Sequence, residues 1–168
     1  MLVGWKNRIV TLDVHEIFYA RLIALLRLVT CKEYASFDRR DRSPDLRKLG
    51  ELETDEIGCM GEAAVHKVAN KWWSSAFFST TDPVQNRPKD IGQYEIKTTI
   101  HANGHLIIKP DYPENTPYLL VQKRSETEFN LAGWIYAKDA KQDKYFKIRK
   151  KEFWVPDKDL KPFPIKGE

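Results

Sequence analysis

One stretch of this chain gathers residues that could do chemistry: Lys89-Asp90-Ile91-Gly92-Gln93-Tyr94-Glu95-Ile96-Lys97-Thr98-Thr99. Alternate side chains of an extended strand share a face. Glu95 and Lys97 therefore point together, and Ile96 points the other way, toward a core. A carboxylate beside an ammonium on one strand face suits metal-assisted hydrolysis. The carboxylate binds a hard cation, and the lysine orients the attacking water as an ammonium or deprotonates it as a free amine. Asp90 stands five residues before Glu95, an odd offset that in one straight strand puts the two on opposite faces. Gly92 supplies a sharp turn that swings the Asp90 carboxylate beside Glu95. Asp90, Glu95 and the Ile96 carbonyl would then hold one Mg²⁺ (or Mn²⁺), with water and a substrate oxygen completing the octahedron.

Glu62 adds a third carboxylate, from the segment Gly58-Cys-Met-Gly-Glu-Ala-Ala. Gly61 and Ala63 beside it allow close approach by another element. Its other reading is an exposed helical Glu paired with His66 one turn on. Acid-any-Lys triplets are common in a chain this charged: Asp139-Ala-Lys141 and Asp159-Leu-Lys161 are two more. Neither lies in a β-rich run. Only Glu95-Ile-Lys97 follows a turn and has a helical Glu and an Asp upstream. His101, Asn103 and His105 spell the letters of an HNH-type site, but Leu106-Ile-Ile continues as a strand where that site needs a helix. Cys31 and Cys59 lack a second cysteine or histidine at ligand spacing, which argues against zinc.

These residues need a scaffold. A helix is expected from about Asp13 to Val29, with Asp13 as N-cap and Glu16 completing a capping box. Phe18, Leu22, Leu25 and Val29 are its expected core stripe. A charged stretch follows, with Arg39, Arg40 and Arg42 as candidate phosphate contacts; a solvated, self-neutralising loop is the other reading. A second helix is expected from about Asp55 to Trp73, burying Ile57, Met60, Ala64, Val68 and Trp72. Strands are expected at 76–81, 94–100, 105–109, 118–123 and 129–136 as a mostly meandering sheet, with a helical turn near 139–143 and an extended tail from Phe153 to Pro164. Trp72, Trp73, Phe77 and Phe78 should pack in the core, with base stacking as the alternative. His105 and Lys109 are expected to face the Glu95 side from the next strand and contact phosphate. Helices first and then strands predict an α/β or α+β fold.

The chain has 168 residues, 42% of them hydrophobic, enough for one cored domain. The expected division is residues 1–54 as N-terminal helix and charged loop, 55–160 as core and 161–168 as tail. Twenty-eight basic residues against 24 acidic leave a net charge of +4, which suits a polyanionic partner without demanding one. The most apolar stretch, Ile17 to Val29, is broken by Arg21 and Arg27, so no membrane span is expected. The N-terminus lacks a signal-peptide pattern, and two cysteines do not make a disulfide framework. Free thiols and a cytoplasmic location follow as expectations.

The order Glu62, Asp90, Glu95-Ile-Lys97 resembles the PD-(D/E)XK nuclease superfamily of restriction-endonuclease-like fold. The downstream runs Gly104-His-Leu-Ile-Ile-Lys-Pro-Asp111, Tyr118-Leu-Leu-Val121, Ala132-Gly-Trp-Ile135, Asp139-Ala-Lys141 and Phe153-Trp-Val-Pro156 look similar to a group of small tailed-phage proteins of that superfamily. The likeness covers roughly residues 55 to 160. It implies a single restriction-endonuclease-like domain and a metal-dependent endonuclease acting on DNA, with RNA still open. Asp90, Glu95 and Glu62 would serve the metal and Lys97 would be the catalytic lysine. It also implies the host cytoplasm as location if phage-encoded, and a homodimer among the partners to look for. The alternative is an inactive nucleic-acid-binding or virion-associated protein of the same fold. Two features depart from the pattern: Lys89 replaces the proline before Asp90, and the short Asp90–Glu95 spacing demands a minimal hairpin.

Overall fold

A computed structural model describes residues 4–34, 50–71, 73 and 89–164. Two short strands, β1 (Gly4–Trp5) and β2 (Arg8–Thr11), precede helix α1 (Val14–Tyr34). The Asp13 carboxylate accepts the His15 and Glu16 N–H groups at 2.8 and 3.0 Å, and Glu16 accepts the Asp13 N–H at 2.7 Å. This is the expected capping box. Helix α2 spans Glu51–Val68, starting and ending earlier than the sequence suggests. Its end has a local cause: Asn70 adopts φ 48°, and the Lys71 and Asn70 N–H groups close on the His66 and Lys67 carbonyls, as in a Schellman stop. The expected strand at 76–81, the loop around it, Trp72, Phe77 and Phe78 lie outside the described residues.

The remaining elements are β3 (Glu95–Thr99), β4 (Leu106–Ile108), β5 (Pro117–Lys123), β6 (Glu128–Tyr136), the one-turn helix α3 (Ala137–Ala140), β7 (Phe146–Lys147), β8 (Glu152–Val155) and β9 (Phe163–Pro164). They do not form a meander. The main sheet has the order β2-β6-β5-β3, and β3 runs parallel to β5 while the other neighbours are antiparallel. β4 leaves this sheet and joins β8 and β7 in a separate antiparallel sheet. The fold is α+β. No helix among the described residues is long and apolar enough to cross a membrane.

The layers follow from strand parity. Ile96, Leu119 and Val121 lie in one apolar cluster with α1 and α2. Tyr118 and Leu120 lie in a second, with Leu106 and Ile108 of the small sheet. β5 is buried on both faces because helices cover one side and the small sheet the other. Glu95 and Lys97 pair with Tyr118 and Leu120, so they point toward the layer of the small sheet. Thr98 points toward α2, where a Cβ at Gly61 would run into its side chain. The expected close approach at Gly61 is therefore made by β3.

α1 buries a different stripe from the one periodicity suggested. Ala20, Ile23 and Ala24 are in the core, while Phe18 is 70%, Leu25 44% and Val29 50% exposed and Leu22 is exposed as well. The reason is proximity: two alanines let α1 lie close to α2, and Arg27, one turn on along the same stripe, finds its partner there. Leu25→Gln should change stability by no more than about 0.5 kcal/mol, as for ordinary surface sites. Ala24→Gln should cost about 2 kcal/mol or more through overpacking and polar burial. Urea melts of the two variants separate the stripes, and a large loss for Leu25→Gln would mean the opposite face is the buried one.

Candidate metal centre

The short Asp90–Glu95 connection is made by a two-residue turn. Ile91 and Tyr94 exchange backbone hydrogen bonds of 3.2 and 2.9 Å across Gly92 and Gln93, and Gly92 takes φ +58°. A glycine at the first central position of such a turn is the residue that adopts this conformation without strain. The turn folds Asp90 back on β3, and its Oδ2 accepts the Ile96 N–H at 2.6 Å. The N–H and C=O of one strand residue point to the same side, so the Ile96 carbonyl is directed toward the side of Asp90. A second anchor comes from α2: His66 Nε2 donates to the Asp90 carbonyl at 2.8 Å. An acceptor carbonyl requires the proton on Nε2.

Glu62 is not paired with His66. Arg27 grips it from α1, with Nη1 to Oε1 at 2.8 Å and Nη2 to Oε2 at 2.9 Å, and the Trp73 indole donates to Oε2 at 3.1 Å. Desolvation of Arg27 is outweighed by this carboxylate, which holds the guanidinium pKa above its ordinary value. Arg27 also touches Cys59 Sγ. Burial pushes that free, buried thiol up to about 12, so it stays protonated. Glu95 receives the Lys89 ammonium at 2.9 Å. Lys97 lies 5.3 and 5.8 Å from the ring centroids of Tyr112 and Tyr118, which stack at 5.0 Å. Burial, with Glu95 and Tyr112 nearby, raises the Tyr118 hydroxyl pKa.

Of the four residues singled out by sequence, Glu62, Glu95 and Lys97 all act on Asp90. Burial first, then the charges of Glu62 and Glu95, push the Asp90 carboxyl up to about 7, while the Ile96 N–H and Lys97 oppose the shift. Oxygen donors that crowd their negative charge suit a hard divalent cation. Among the described residues no three of the His, Cys, Asp and Glu side chains are placed to hold a metal together. Glu62 and Glu95 are turned to Arg27 and Lys89. Asp90, the Ile96 carbonyl and, if released by Lys89, Glu95 are the oxygen donors that could hold a cation, and Mg²⁺ takes few protein ligands because it keeps its waters.

The other candidates are placed elsewhere. His105 is exposed, with its ring 6.0 Å from that of Trp154, and Lys109 follows β4. Because β4 belongs to the small sheet, neither sits on a strand next to β3. His101, Asn103 and His105 flank a turn between strands, with no helix behind it. Arg39, Arg40 and Arg42 lie outside the described residues. Reading the sequence missed Arg27, His66, Trp73, Lys89 and Tyr112 as site residues. Arg27 carried a signal: a charge inside an apolar helix demands a buried partner.

By fold the chain is an α+β protein whose main sheet lies between a helical layer and a small antiparallel sheet. No family model matches it, and neither a curated protein nor a solved structure does.

Arg27→Met should cost about 3 kcal/mol, because it leaves the mostly buried Glu62 carboxylate without its counter-charge; a loss below about 1 kcal/mol in chemical denaturation would contradict the clamp. Asp90 sets a pH dependence. Its folded pKa of about 7 lies above the ordinary 3.8, so the folded chain holds this proton more tightly than the unfolded chain. The group's stabilising contribution is complete below about pH 4, declines as pH rises and is lost above about pH 7. Asp90→Asn should therefore gain stability relative to wild type as pH rises through that window, in metal-free buffer. A parallel pair of stability curves would overturn the assignment.

Proposed function

We propose that the chain is a metal-dependent phosphodiester hydrolase, an endonuclease acting on DNA with Mg²⁺ or Mn²⁺, of the PD-(D/E)XK type its motif resembles. The observation that carries this reading is the convergence of Asp90, Glu95, Glu62 and Lys97 at the β3 edge of the main sheet, made by a two-residue turn, a strand and a helix. A bound cation would neutralise the scissile phosphate and make a water more acidic. Asp90 and Glu95, with the Ile96 carbonyl, are its holders. Lys97 stands on the same strand face as Glu95, where its ammonium would orient the attacking water. Arg27 and Trp73 hold Glu62 in place behind Asp90 and offset its charge. His66 fixes the Asp90 backbone, so a donor on a turn keeps a defined position.

A second reading has its own support. Arg27 and Lys89 already neutralise Glu62 and Glu95, as internal cations would in a protein that keeps the fold and binds nucleic acid without cutting it. Membership of a homodimer, with one centre for each strand of a duplex, belongs to the first reading. So does action in the cytoplasm of a cell or phage host.

Cleavage assays on linear, circular, branched and single-stranded DNA, and on RNA, with Mg²⁺, Mn²⁺ or EDTA, separate the two. Metal-dependent cutting is expected, and Lys97→Ala and Glu95→Gln should each slow it on the order of 10²-fold or more. Absence of cutting on every substrate, or cutting undiminished in both variants, would end the nuclease reading. Binding that persists in EDTA without cutting would support the second.

A further inference from the structure

The densest positive charge among the described residues lies away from the candidate metal centre. Lys147-Ile148-Arg149-Lys150-Lys151 carries four cations in five consecutive positions, with Lys144 just before. These residues form the turn between β7 and β8, whose ladder pairs Phe146 with Phe153 and Lys147 with Glu152. The Lys150 and Lys151 N–H groups both donate to the Lys147 carbonyl, at 2.9 and 2.8 Å. Lys151 takes φ 55°, a left-handed conformation that a side-chain-bearing residue seldom adopts. The turn is therefore tight, and all its side chains are exposed.

Several cations elsewhere are neutralised. Lys67, Lys89, Lys123, Lys161, Arg21 and Arg27 each have a carboxylate within ion-pair distance. Among the described residues Lys147, Arg149, Lys150 and Lys151 have none. Glu152, opposite Lys147 in the ladder, is turned to the Trp154 indole. Four like charges forced together by a closed turn repel one another, and a polyanion removes that repulsion by seating its own charges among them.

We infer that the β7–β8 turn is a clamp for the phosphate backbone of nucleic acid, duplex DNA in particular. The inference rests on the proposed nuclease reading for the choice of DNA, and on the turn's own geometry for the choice of a backbone. A two-stranded ribbon is narrow enough to enter a duplex groove. Lys147 and Arg149 flank Ile148, which is 81% exposed at the tip. An apolar tip between cations suits a groove floor with phosphates on both sides. The ribbon belongs to the small sheet, which covers the face of the main sheet that bears Glu95 and Lys97, so a strand held there lies on the catalytic side. An anionic membrane fits less well. The exposed apolar residues of α1 lie on the opposite layer, and Ile148 with the partly exposed Phe146 is a small apolar surface for insertion.

The test measures binding of a labelled random-sequence DNA duplex in EDTA over a range of salt concentrations. The triple variant Lys147→Gln, Arg149→Gln, Lys150→Gln should bind at least roughly tenfold more weakly, and its log–log salt slope should be shallower by about 2 to 3, the loss of three phosphate contacts. The triple variant Arg124→Gln, Lys138→Gln, Lys158→Gln removes the same net charge and should leave the slope nearly unchanged. Arg149→Glu alone, at an exposed position, should give the same direction without altering the turn backbone. An unchanged slope in the hairpin variants overturns the clamp, as does a wild-type chain that binds no duplex. Hairpin-dependent binding to phosphatidylserine vesicles in place of DNA overturns it in favour of a membrane. Hairpin-dependent DNA binding without any cleavage upholds the clamp and removes the nuclease reading. Cleavage with hairpin-independent binding does the reverse.

Discussion

The fork between Arg27 and Glu62 is the interaction on which the rest of the arrangement depends. A guanidinium on the packed stripe of a helix is tolerated only if a carboxylate meets it with matched geometry. Glu62 does, with both oxygens. The pair draws α1 against α2, and Ala20 and Ala24 give the helices room to meet. It also decides which face of α1 is buried, since the face bearing Arg27 cannot also carry Phe18 and Leu25 inward. On the far side of α2, Gly61 lets Thr98 approach. The helix that carries Glu62 is thus fitted closely to the strand that carries Glu95 and Lys97. A helix displaced by one side-chain layer would separate the helical carboxylate from the other two.

Electrostatics gives the cluster its character. Three carboxylates near one another are not all stable as anions in a partly dry site, and the chain distributes the compensation. Glu62 has Arg27, and Glu95 has Lys89. Among the described residues the Asp90 carboxylate has only a backbone N–H within hydrogen-bonding distance, and burial first, then the charges of Glu62 and Glu95, raise its pKa against the pull of Lys97. Lys97 is the third cation near these three carboxylates, and Asp90 is the one buried without an ion pair among the described residues, at a position fixed by the Gly92 turn, the Ile96 N–H and the His66 imidazole. Under the proposed reading, a bound cation would join Lys97 in stabilising the Asp90 anion.

What the sequence made legible was local. Strand parity placed Glu95 with Lys97 and Ile96 opposite. The glycine in a five-residue interval announced the turn that brings Asp90 round, and Asp13 with Glu16 marked the start of α1. What escaped were relations between distant segments. Periodicity ranks apolar residues by size, and so preferred Phe18 and Leu25 to the alanines that in fact face α2. Sequence order suggested that each strand pairs with the next, but parallel pairing of β3 with β5 sends β4 to the other layer, and His105 and Lys109 go with it. A parallel pair needs a long connection, and here that connection holds a strand of its own, a topology no local pattern announces. Arg27 was visible only as a blemish in an apolar run, although a charge that no nearby residue can neutralise was the best available hint of a long-range partner.

The two charge arrangements in the molecule mirror one another. At the β3 edge three acids are packed with protein cations, and among the described residues Asp90 is the one of the three without an ion pair. At the β7–β8 turn, cations are packed with no acid among them. Under the proposed reading a small cation would meet Asp90 at the first site, where the donors are largely buried. The excess at the second is matched by an extended anion, because its donors are exposed and spread along a ribbon. Under the proposed reading a nucleic-acid backbone with a divalent ion would be one ligand that answers both, and the small sheet, packed on the Glu95 face, joins the two places within a single layer. Neither feature alone specifies that ligand: acidic clusters are commonly structural, and basic turns are commonly solvated. Their complementary signs, on one side of one sheet, are what make the combination more informative than either.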